Sequence, residues 1–206
     1  EQIKYIEDKI KEMSIEDKIG QLFFVVGQDS DTVNLSEFTK KYRPGGIMYR
    51  PDKAAKIKDE VSKLQKASDI PLFIAANLES GGNGIASEGT WLGTPMEMAA
   101  TGDFQSAYQL GRISGYEAAQ VGVNMSFAPI VDIDMNFKNP IMNVRTFGSD
   151  KNRVIGMSSA QAKGLEECGI IPVIKHFPGD GVDERDQHLL SSVNSLQADE
   201  WMESYG

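Results

Sequence analysis

The residues best suited to chemistry lie in positions 175–188, which contain both histidines of the chain. Asp186 and His188 are two residues apart on a predicted irregular loop, a spacing that lets the carboxylate reach the imidazole. An aspartate bound to one ring nitrogen fixes the tautomer and raises the basicity of the other nitrogen. The pair therefore predicts a group that donates and accepts protons near neutral pH. The alternative is an exposed acidic loop with one surface histidine.

Three further residues could bind a polar ligand. Lys175 and His176 end the apolar run 170–174, which predicts a buried strand. A lysine at the tip of a parallel strand is expected to face the mouth of the sheet and to donate hydrogen bonds to hydroxyl groups, while His176 is either a second donor or a packed histidine. Arg145 lies in the polar loop 139–148 with no charge close in sequence. It is either a bidentate ligand for carboxylates or hydroxyls, or a surface arginine.

Two other kinds of site are not expected. Asp183, Glu184, Asp186 and the histidines could supply metal ligands, but their spacing matches no zinc or calcium pattern. The run Gly81-Gly82-Asn83-Gly84 follows a predicted strand, which is the position of a phosphate-binding loop. No helix is predicted to begin at Gly84, so the context of such a loop is missing. We therefore predict neither a metal nor a cofactor.

Predicted strands and helices alternate about five times along the chain. The strands are predicted at 22–26, 47–49, 72–76, 124–128 and 172–175, and the helices at 3–12, 15–20, 35–42, from Pro51 to about 64, 104–121, from Asp150 to about 167, and 197–205. Such alternation predicts a parallel sheet with right-handed crossovers.

A doubly wound open sheet and a (β/α)8 barrel both fit this alternation, and the loops decide between them. The sequence turns polar or glycine-rich after nearly every predicted strand, at 27–28, 50, 77–84, 129–139 and 175–188. All such loops converge at the mouth of a barrel, whereas an open sheet uses only those beside its switch point. We predict an α/β fold, a partial (β/α)8 TIM-type barrel of about five βα units, with residues 1–206 as a single domain. Because a full barrel takes ~250 residues, the chain is expected to be an incomplete barrel.

Composition argues against several classes of partner. The 206 residues carry a formal net charge of −9 without a basic patch, so neither nucleic acid nor an anionic membrane is an expected partner. No apolar run approaches the ~18 residues that span a bilayer. No signal peptide is visible, so the compartment is either cytoplasmic or, with a leader removed, extracellular. The single cysteine, Cys168, permits no intrachain disulfide and is predicted to be a small core residue.

The motifs around the candidate residues resemble those of glycoside hydrolase family 3, especially its β-N-acetylglucosaminidase branch. That branch reads Lys-His-Phe-Pro-Gly-His-Gly followed by Asp-Ser-His. The matching segments here span most of the chain and keep the family order; they are Gly45-Gly46-Ile47, Asn77-Leu78-Glu79-Ser80-Gly81-Gly82, Ala128-Pro129-Ile130-Val131-Asp132, Asn139-Pro140 with Arg145-Thr146-Phe147-Gly148, Lys175 to Gly181, and Asp186-Gln187-His188.

The resemblance implies a (β/α)8 barrel that removes terminal β-linked N-acetylglucosamine with retention of configuration, in carbohydrate metabolism and peptidoglycan turnover. His188 would be the general acid/base and Asp186 its orienting partner. Lys175, His176 and Arg145 would hold the sugar. Asn77 would take the place of a sugar-binding aspartate.

The chain also departs from the family pattern. Asn77 replaces an aspartate, Asp180 replaces a histidine, and the arginines that follow the glycine run near Ser80 are absent. The family's nucleophilic aspartate would lie beyond residue 206, so this chain is expected to be inactive alone and to self-associate through exposed apolar faces. Alternatives are a non-catalytic sugar-binding module, a β-glucosidase and a glycoside phosphorylase.

Overall fold

The structure, a computed structural model, describes residues 2–27 and 34–206. Over these residues eight α-helices alternate with five β-strands. The helices are α1 (Gln2–Glu12), α2 (Ile15–Gly20), α3 (Leu35–Tyr42), α4 (Ala54–Ala67), α5 (Pro95–Ala100), α6 (Phe104–Gln120), α7 (Lys151–Glu166) and α8 (Ala198–Ser204), and the strands are β1 (Phe24–Gly27), β2 (Gly46–Tyr49), β3 (Phe73–Ala76), β4 (Met125–Ser126) and β5 (Ile171–Pro172). Gln28, in the first predicted polar loop, lies outside the described residues.

The five strands form one parallel sheet in the order β1-β2-β3-β4-β5, so each strand pairs with its neighbours in sequence. In the register, Val25 lies beside Ile47, Ile47 beside Ile74, Ala75 beside Met125, and Met125 beside Ile171. A doubly wound sheet changes the direction of its strand order at a switch point, and no such change occurs among the described strands. The predicted α/β class and partial barrel of about five βα units are therefore confirmed.

The helices cover the sheet through apolar stripes that the sequence predicts. Ile57, Val61 and Leu64 of α4 are buried in one cluster with Ile47 and Ile74 of the sheet. Their spacing puts all three on one face of the helix, and burying that face is what holds α4 against the strands.

The helices α6 and α7 cross closely because glycines lie at the crossing. A Cβ atom on Gly111 of α6 would lie 2.0 Å from the carbonyl oxygen of Gln161, and one on Gly164 of α7 would lie 2.4 Å from that of Tyr108. Any side chain at these positions would push the helix backbones apart. Gly111, Gly115 and Ala118 of α6 are buried at this crossing side, whereas Phe104 at the start of the helix is 52% exposed.

The first and last predicted strands are less buried than their apolar sequences suggest. Leu22 is 81% exposed, Val26 is 56% exposed and Ile174 is 62% exposed. The reason is that β1 and β5 form the two edges of the described sheet and have a partner strand on one side only. β5 itself spans only Ile171–Pro172, shorter than predicted, but its pairing with the β4 segment continues beyond it, with the N–H of Val173 2.8 Å from the carbonyl oxygen of Ser126.

Other predicted details are also wrong. The helix expected from Pro51 begins at Ala54. The short helix α5 was not predicted, although Thr94 caps it, Glu97 completes a capping box and Pro95 occupies its first turn. Cys168, predicted to be a small core residue, follows α7 and is half-buried at the edge of the main apolar cluster, with its thiol 3.2 Å from the carbonyl oxygen of Arg112.

The helix α1 forms as predicted but buries none of its residues. Ile3, Ile6 and Ile10 are 74%, 54% and 50% exposed, so its apolar stripe faces solvent. In the described part of the chain, no helix combines the length and apolar character needed to cross a membrane.

Candidate active site

Polar side chains from three loops meet at the carboxyl ends of the strands. Asn77 and Glu79 follow β3, Arg145 lies in the loop after β4, and Lys175 lies beyond β5. Arg145 binds Glu79 in a bidentate manner, with Nε 2.9 Å from Oε2 and Nη2 2.9 Å from Oε1. Lys175 Nζ donates to Glu79 Oε1 at 2.5 Å and to Asn77 Oδ1 at 3.3 Å. We call these four residues the Glu79 cluster.

Backbone contacts hold each segment of the Glu79 cluster in place. The side chain of Gln161, in α7, donates a hydrogen bond of 3.2 Å to the carbonyl of Leu78, which lies between Asn77 and Glu79 in the loop after β3. Arg145 also donates from Nη1 to the carbonyl of Ile141 at 3.2 Å. The carbonyl of Lys175 accepts the N–H of Val131 at 2.8 Å, which continues the pairing of β4 with β5.

The Glu79 cluster holds two positive charges around one negative charge. Burial alone would raise the pKa of Glu79, but hydrogen bonds and charge attraction from Arg145 and Lys175 outweigh it and lower that pKa. Hydrogen bonds to Glu79 raise the pKa of Arg145. Burial lowers the pKa of Lys175, with repulsion from Arg145 in the same direction and attraction from Glu79 against it. Glu79 and Arg145 are therefore firmly ionised, and Lys175 is the member that gives up its charge most readily.

A cavity of about 390 Å³ opens beside the Glu79 cluster. Its walls include Met48, Arg50, Asn77, Glu79, Asn83 and Arg145. Hydrogen-bond donors and acceptors therefore line a space at the strand ends, the position at which barrels bind their ligands.

His176 faces a different partner from its neighbour Lys175. The carboxylate of Asp132, in the loop after β4, is fully buried. Its Oδ2 accepts the backbone N–H of His176 at 3.1 Å and lies 2.6 Å from the ring Nδ1. Its Oδ1 accepts the N–H of Asp180 at 2.7 Å. The His176 side chain is 25% exposed, so the ring is largely enclosed.

Asp186 and His188 form the contact that their spacing predicts. Asp186 Oδ1 accepts the backbone N–H of His188 at 2.8 Å and lies 2.8 Å from the ring Nδ1. The backbone N–H of His188 is the largest cause of the lowered pKa of Asp186, and the His188 ring adds to it. The imidazole is nevertheless 71% exposed, whereas Asp186 is 27% exposed.

Hydrogen bonds connect the base of the loop that carries Asp186 and His188 to the rest of the site. Gln187, between Asp186 and His188, donates from Nε2 to Asp180 Oδ2 at 2.9 Å. The buried side chain of Asn139 donates to the carbonyl of Asp180 at 2.5 Å and to that of Asp183 at 2.8 Å. A continuous set of contacts thus connects His188, at the exposed tip of the loop, with the enclosed Asp132.

Three of the predicted binding residues, Asn77, Arg145 and Lys175, lie in one cluster. His176 lies next to it in sequence but binds Asp132, and the ring of His188 faces solvent. Sequence reasoning did not single out Glu79 or Asp132 as site residues, although both lie in segments that match the family motifs. Across residues 2–27 and 34–206, no group of three or more histidine, cysteine, aspartate or glutamate side chains is arranged to hold a metal ion.

Comparison with known proteins agrees with these motifs. The family model for the glycosyl hydrolase family 3 N-terminal domain matches residues 14–205. The chain belongs to glycoside hydrolase family 3.

The relatives within glycoside hydrolase family 3 are named for different activities. A protein of Cellulomonas fimi named beta-N-acetylglucosaminidase/beta-glucosidase is 42% identical over 204 residues, which cover 99% of this chain and 36% of that protein. The solved structure of a beta-glucoside phosphorylase, BglX, bound to 2FGlc is 48% identical with a TM-score of 0.95, covering 99% of this chain and 37% of that one. A family 3 beta-N-acetylglucosaminidase of Paenibacillus is 28% identical with a TM-score of 0.76, covering 85% of this chain and 35% of that one.

The chain thus spans about a third of the length of these family 3 relatives. The agreement in fold extends over nearly all of the chain for BglX, which matches the partial barrel described above.

Proposed function

We propose that this chain supplies the sugar-binding and proton-transfer part of a retaining enzyme that cleaves terminal β-linked N-acetylglucosamine. The observation that carries the proposal is the convergence of Asn77, Arg145 and Lys175 on Glu79 at the strand ends. Membership of glycoside hydrolase family 3 and the N-acetylglucosaminidase names among the relatives support it.

In this proposal the Glu79 cluster and His176 hold the sugar. Arg145 and Lys175 offer N–H groups to hydroxyl or carbonyl oxygens, and the Asn77 amide offers both a donor and an acceptor. Glu79 keeps the two cations at fixed positions, so their donors are oriented before the sugar arrives. Orientation before binding reduces the entropy lost on binding and supports reaction at the correct geometry.

His188 is the proposed proton shuttle and Asp186 its orienting partner. The lowered pKa of Asp186 keeps it ionised near neutral pH. An ionised Asp186 accepts a hydrogen bond from Nδ1–H, so the protonated ring of His188 gives its Nε2 proton to the departing oxygen, and the neutral Nε2 that results later takes a proton from the incoming nucleophile. A bound sugar would cover the ring, which is 71% exposed without one.

A retaining enzyme also needs a carboxylate nucleophile about 5 Å from its acid/base group. Among the described carboxylates at the strand ends, Glu79 is occupied by Arg145 and Lys175, and Asp132 accepts three N–H groups. Neither is free to attack a sugar. The family resemblance places the nucleophilic aspartate outside this chain, so we propose that neither of these two carboxylates is the nucleophile and that the 206-residue chain binds sugar without turning it over.

Phosphorolysis of β-glucosides is the second candidate. It is favoured by the 48% identity to a beta-glucoside phosphorylase over nearly the whole chain. Chemistry agrees, because a neutral imidazole at position 188 would not repel a phosphate anion that attacks the glycosyl intermediate, as a carboxylate base would.

Aryl glycoside assays separate these proposals. The 4-nitrophenyl N-acetyl-β-glucosaminide and β-glucoside are tested with and without phosphate, using both the 206-residue chain and the gene product that contains it. Preference for the amino sugar without phosphate supports the first proposal, and a rate that requires phosphate supports the second. Sugar binding without turnover by any of these proteins would favour a non-catalytic module. Rapid turnover by the 206-residue chain would refute the proposed absence of its nucleophile.

Variants then test the role of His188. In the gene product that contains these residues, His188→Gln is expected to lower kcat/KM about 10²–10⁴-fold, the range that general acid–base catalysis supplies. The loss should shrink with a 2,4-dinitrophenyl leaving group, which needs no protonation. The matched control is Glu184→Gln, in the same loop, whose carboxylate is exposed and lies 3.6 Å from Lys138. Equal rates in the His188 variant and the control would refute the assignment.

A further inference from the structure

Asp132 is a fully buried carboxylate that the proposed reaction does not use directly. Removing such a group from water is costly unless it is charge-compensated and hydrogen-bonded. Here the compensation comes from three N–H contacts, two from His176 and one from Asp180. These partners belong to the segment after β5, so Asp132 joins the loop after β4 to the loop that carries the proposed proton shuttle.

We propose that Asp132 is a positioning residue that fixes the tautomer of His176 and, through Asp180, the base of the loop bearing Asp186 and His188. The inference rests on the proposed function for its consequence in catalysis. The contacts themselves are independent of it.

The tautomer follows from the acceptor character of a carboxylate. Asp132 Oδ2 lies 2.6 Å from Nδ1 of His176 and can only accept, so Nδ1 carries the proton. In the neutral ring Nε2 is then unprotonated and accepts a hydrogen bond, for example from a sugar hydroxyl. The backbone N–H of the same residue donates to the same oxygen at 3.1 Å, which restricts rotation of the ring.

The second half of the inference follows from Asp180. Its backbone N–H binds Asp132 Oδ1, and its side chain accepts from Gln187 at 2.9 Å. Gln187 lies between the two members of the acid–base pair. Asp180 is also a position at which the chain departs from the family motif, and it is 5% exposed. Asp132 thereby fixes the backbone of a residue whose side chain holds the centre of the Asp186–His188 loop.

The first test measures the wild-type protein. Its two imidazoles make a simple nitrogen-15 NMR spectrum, and His188→Gln assigns them. We expect neutral His176 to be the Nδ1–H tautomer. Finding the Nε2–H tautomer in the wild type would overturn the proposal without any variant at Asp132.

The second test uses Asp132→Asn, whose amide has one oxygen in place of two. That oxygen can serve either His176 or the Asp180 N–H, but not both. We expect either a change of the His176 tautomer or faster hydrogen exchange at the Asp180 amide. We also expect about tenfold weaker binding of methyl N-acetyl-β-glucosaminide, equivalent to the loss of one hydrogen bond. Asp134→Asn, two residues along the same loop, is the control and should change none of these.

The outcomes also separate this inference from the proposed function. An unchanged tautomer and unchanged exchange in Asp132→Asn would overturn the positioning role. Failure of the wild-type protein to bind the sugar, with the Nδ1–H tautomer present, would overturn the proposed function and leave the Asp132 contacts in place. If Asp132→Asn does not fold, the His176 tautomer of the wild-type protein still tests the contact between Asp132 and His176. Asp180→Ala then tests whether Asp180 holds the Asp186–His188 loop, through hydrogen exchange at Gln187.

Discussion

Glu79→Gln is the substitution for which the structure predicts the largest electrostatic effect. It removes the negative charge between Arg145 and Lys175 and leaves two cations close together. Breaking a buried ion pair by removing one partner costs about 3–5 kcal/mol. The side chains of Glu79, Lys175 and Arg145 are 15%, 17% and 32% exposed, so solvent screens part of this energy. We therefore expect a loss of about 2 kcal/mol, or about 4–8 °C in Tm for a chain of this length.

Urea unfolding measures this loss as a lower midpoint at an unchanged m value. The control is Glu12→Gln, which removes the acid of an exposed pair. Lys9 and Glu12 are 3.4 Å apart with side chains 51% and 71% exposed, and such pairs contribute little to stability. A Glu79 variant as stable as the Glu12 variant would show that the Glu79 cluster has no electrostatic coupling of the kind described.

The pH dependence of the same variant tests the mechanism. Burial and Arg145 both lower the pKa of Lys175, and the opposing attraction of Glu79 is absent in Glu79→Gln. The folded variant therefore loses the Lys175 proton at lower pH than the unfolded chain does. Stability rises with pH wherever the unfolded state binds more protons, so the deficit should shrink as the pH approaches the unfolded value of about 10.4. A deficit that is constant from pH 7 to pH 10 would refute this explanation.

Two other substitutions test the loop and the helix layer. Burial, with repulsion from Asp132, Asp183 and Asp186 and attraction from His176, raises the pKa of Asp180. At pH values above the unfolded pKa of Asp180, the folded state therefore binds more protons than the unfolded state, which means that ionised Asp180 destabilises the fold. Asp180→Asn should raise the free energy of unfolding measured in urea at pH 7 and leave it unchanged at pH 3. Gly164→Ala should cost about 1–3 kcal/mol by overpacking the α6–α7 crossing. Gly156→Ala on α7, whose new methyl group would first meet the half-exposed Phe104 ring rather than backbone, should cost less in the same urea assay.

The sequence predicts most of the elements because their signals are local. The stripe of Ile57, Val61 and Leu64 identifies α4 from spacing alone. The polar residues that follow each apolar run identify the mouth of the barrel. Asn77, Arg145 and Lys175 lie in these polar segments and are therefore predicted to lie at the mouth. These predictions need only the rule that the carboxyl ends of parallel strands lie at one edge.

The contacts inside the site are not predictable in the same way. Glu79 meets Arg145 across 66 positions of sequence and Lys175 across 96. No local pattern states which acid neutralises which base, so Arg145 looks unpaired in the sequence. The solvent exposure of a strand is not predictable for a related reason, because an apolar run has the same sequence pattern at the edge and at the centre of a sheet. Leu22 and Ile174 illustrate this at the two edges.

The two histidines show what the fold adds to such patterns. Asp186 and His188 can meet with little help from the fold, since two residues on a loop are always near each other, and the resulting imidazole is 71% exposed. Asp132 and His176 are 44 positions apart and meet only because β4 and β5 are adjacent, and their carboxylate is fully buried. A hydrogen bond gains strength and direction when water is excluded. Sequence reasoning therefore finds the pair that forms easily and misses the pair that the fold holds most tightly. For His188 to transfer protons to a sugar, the bound sugar or another part of the molecule must supply the enclosure that its own loop lacks.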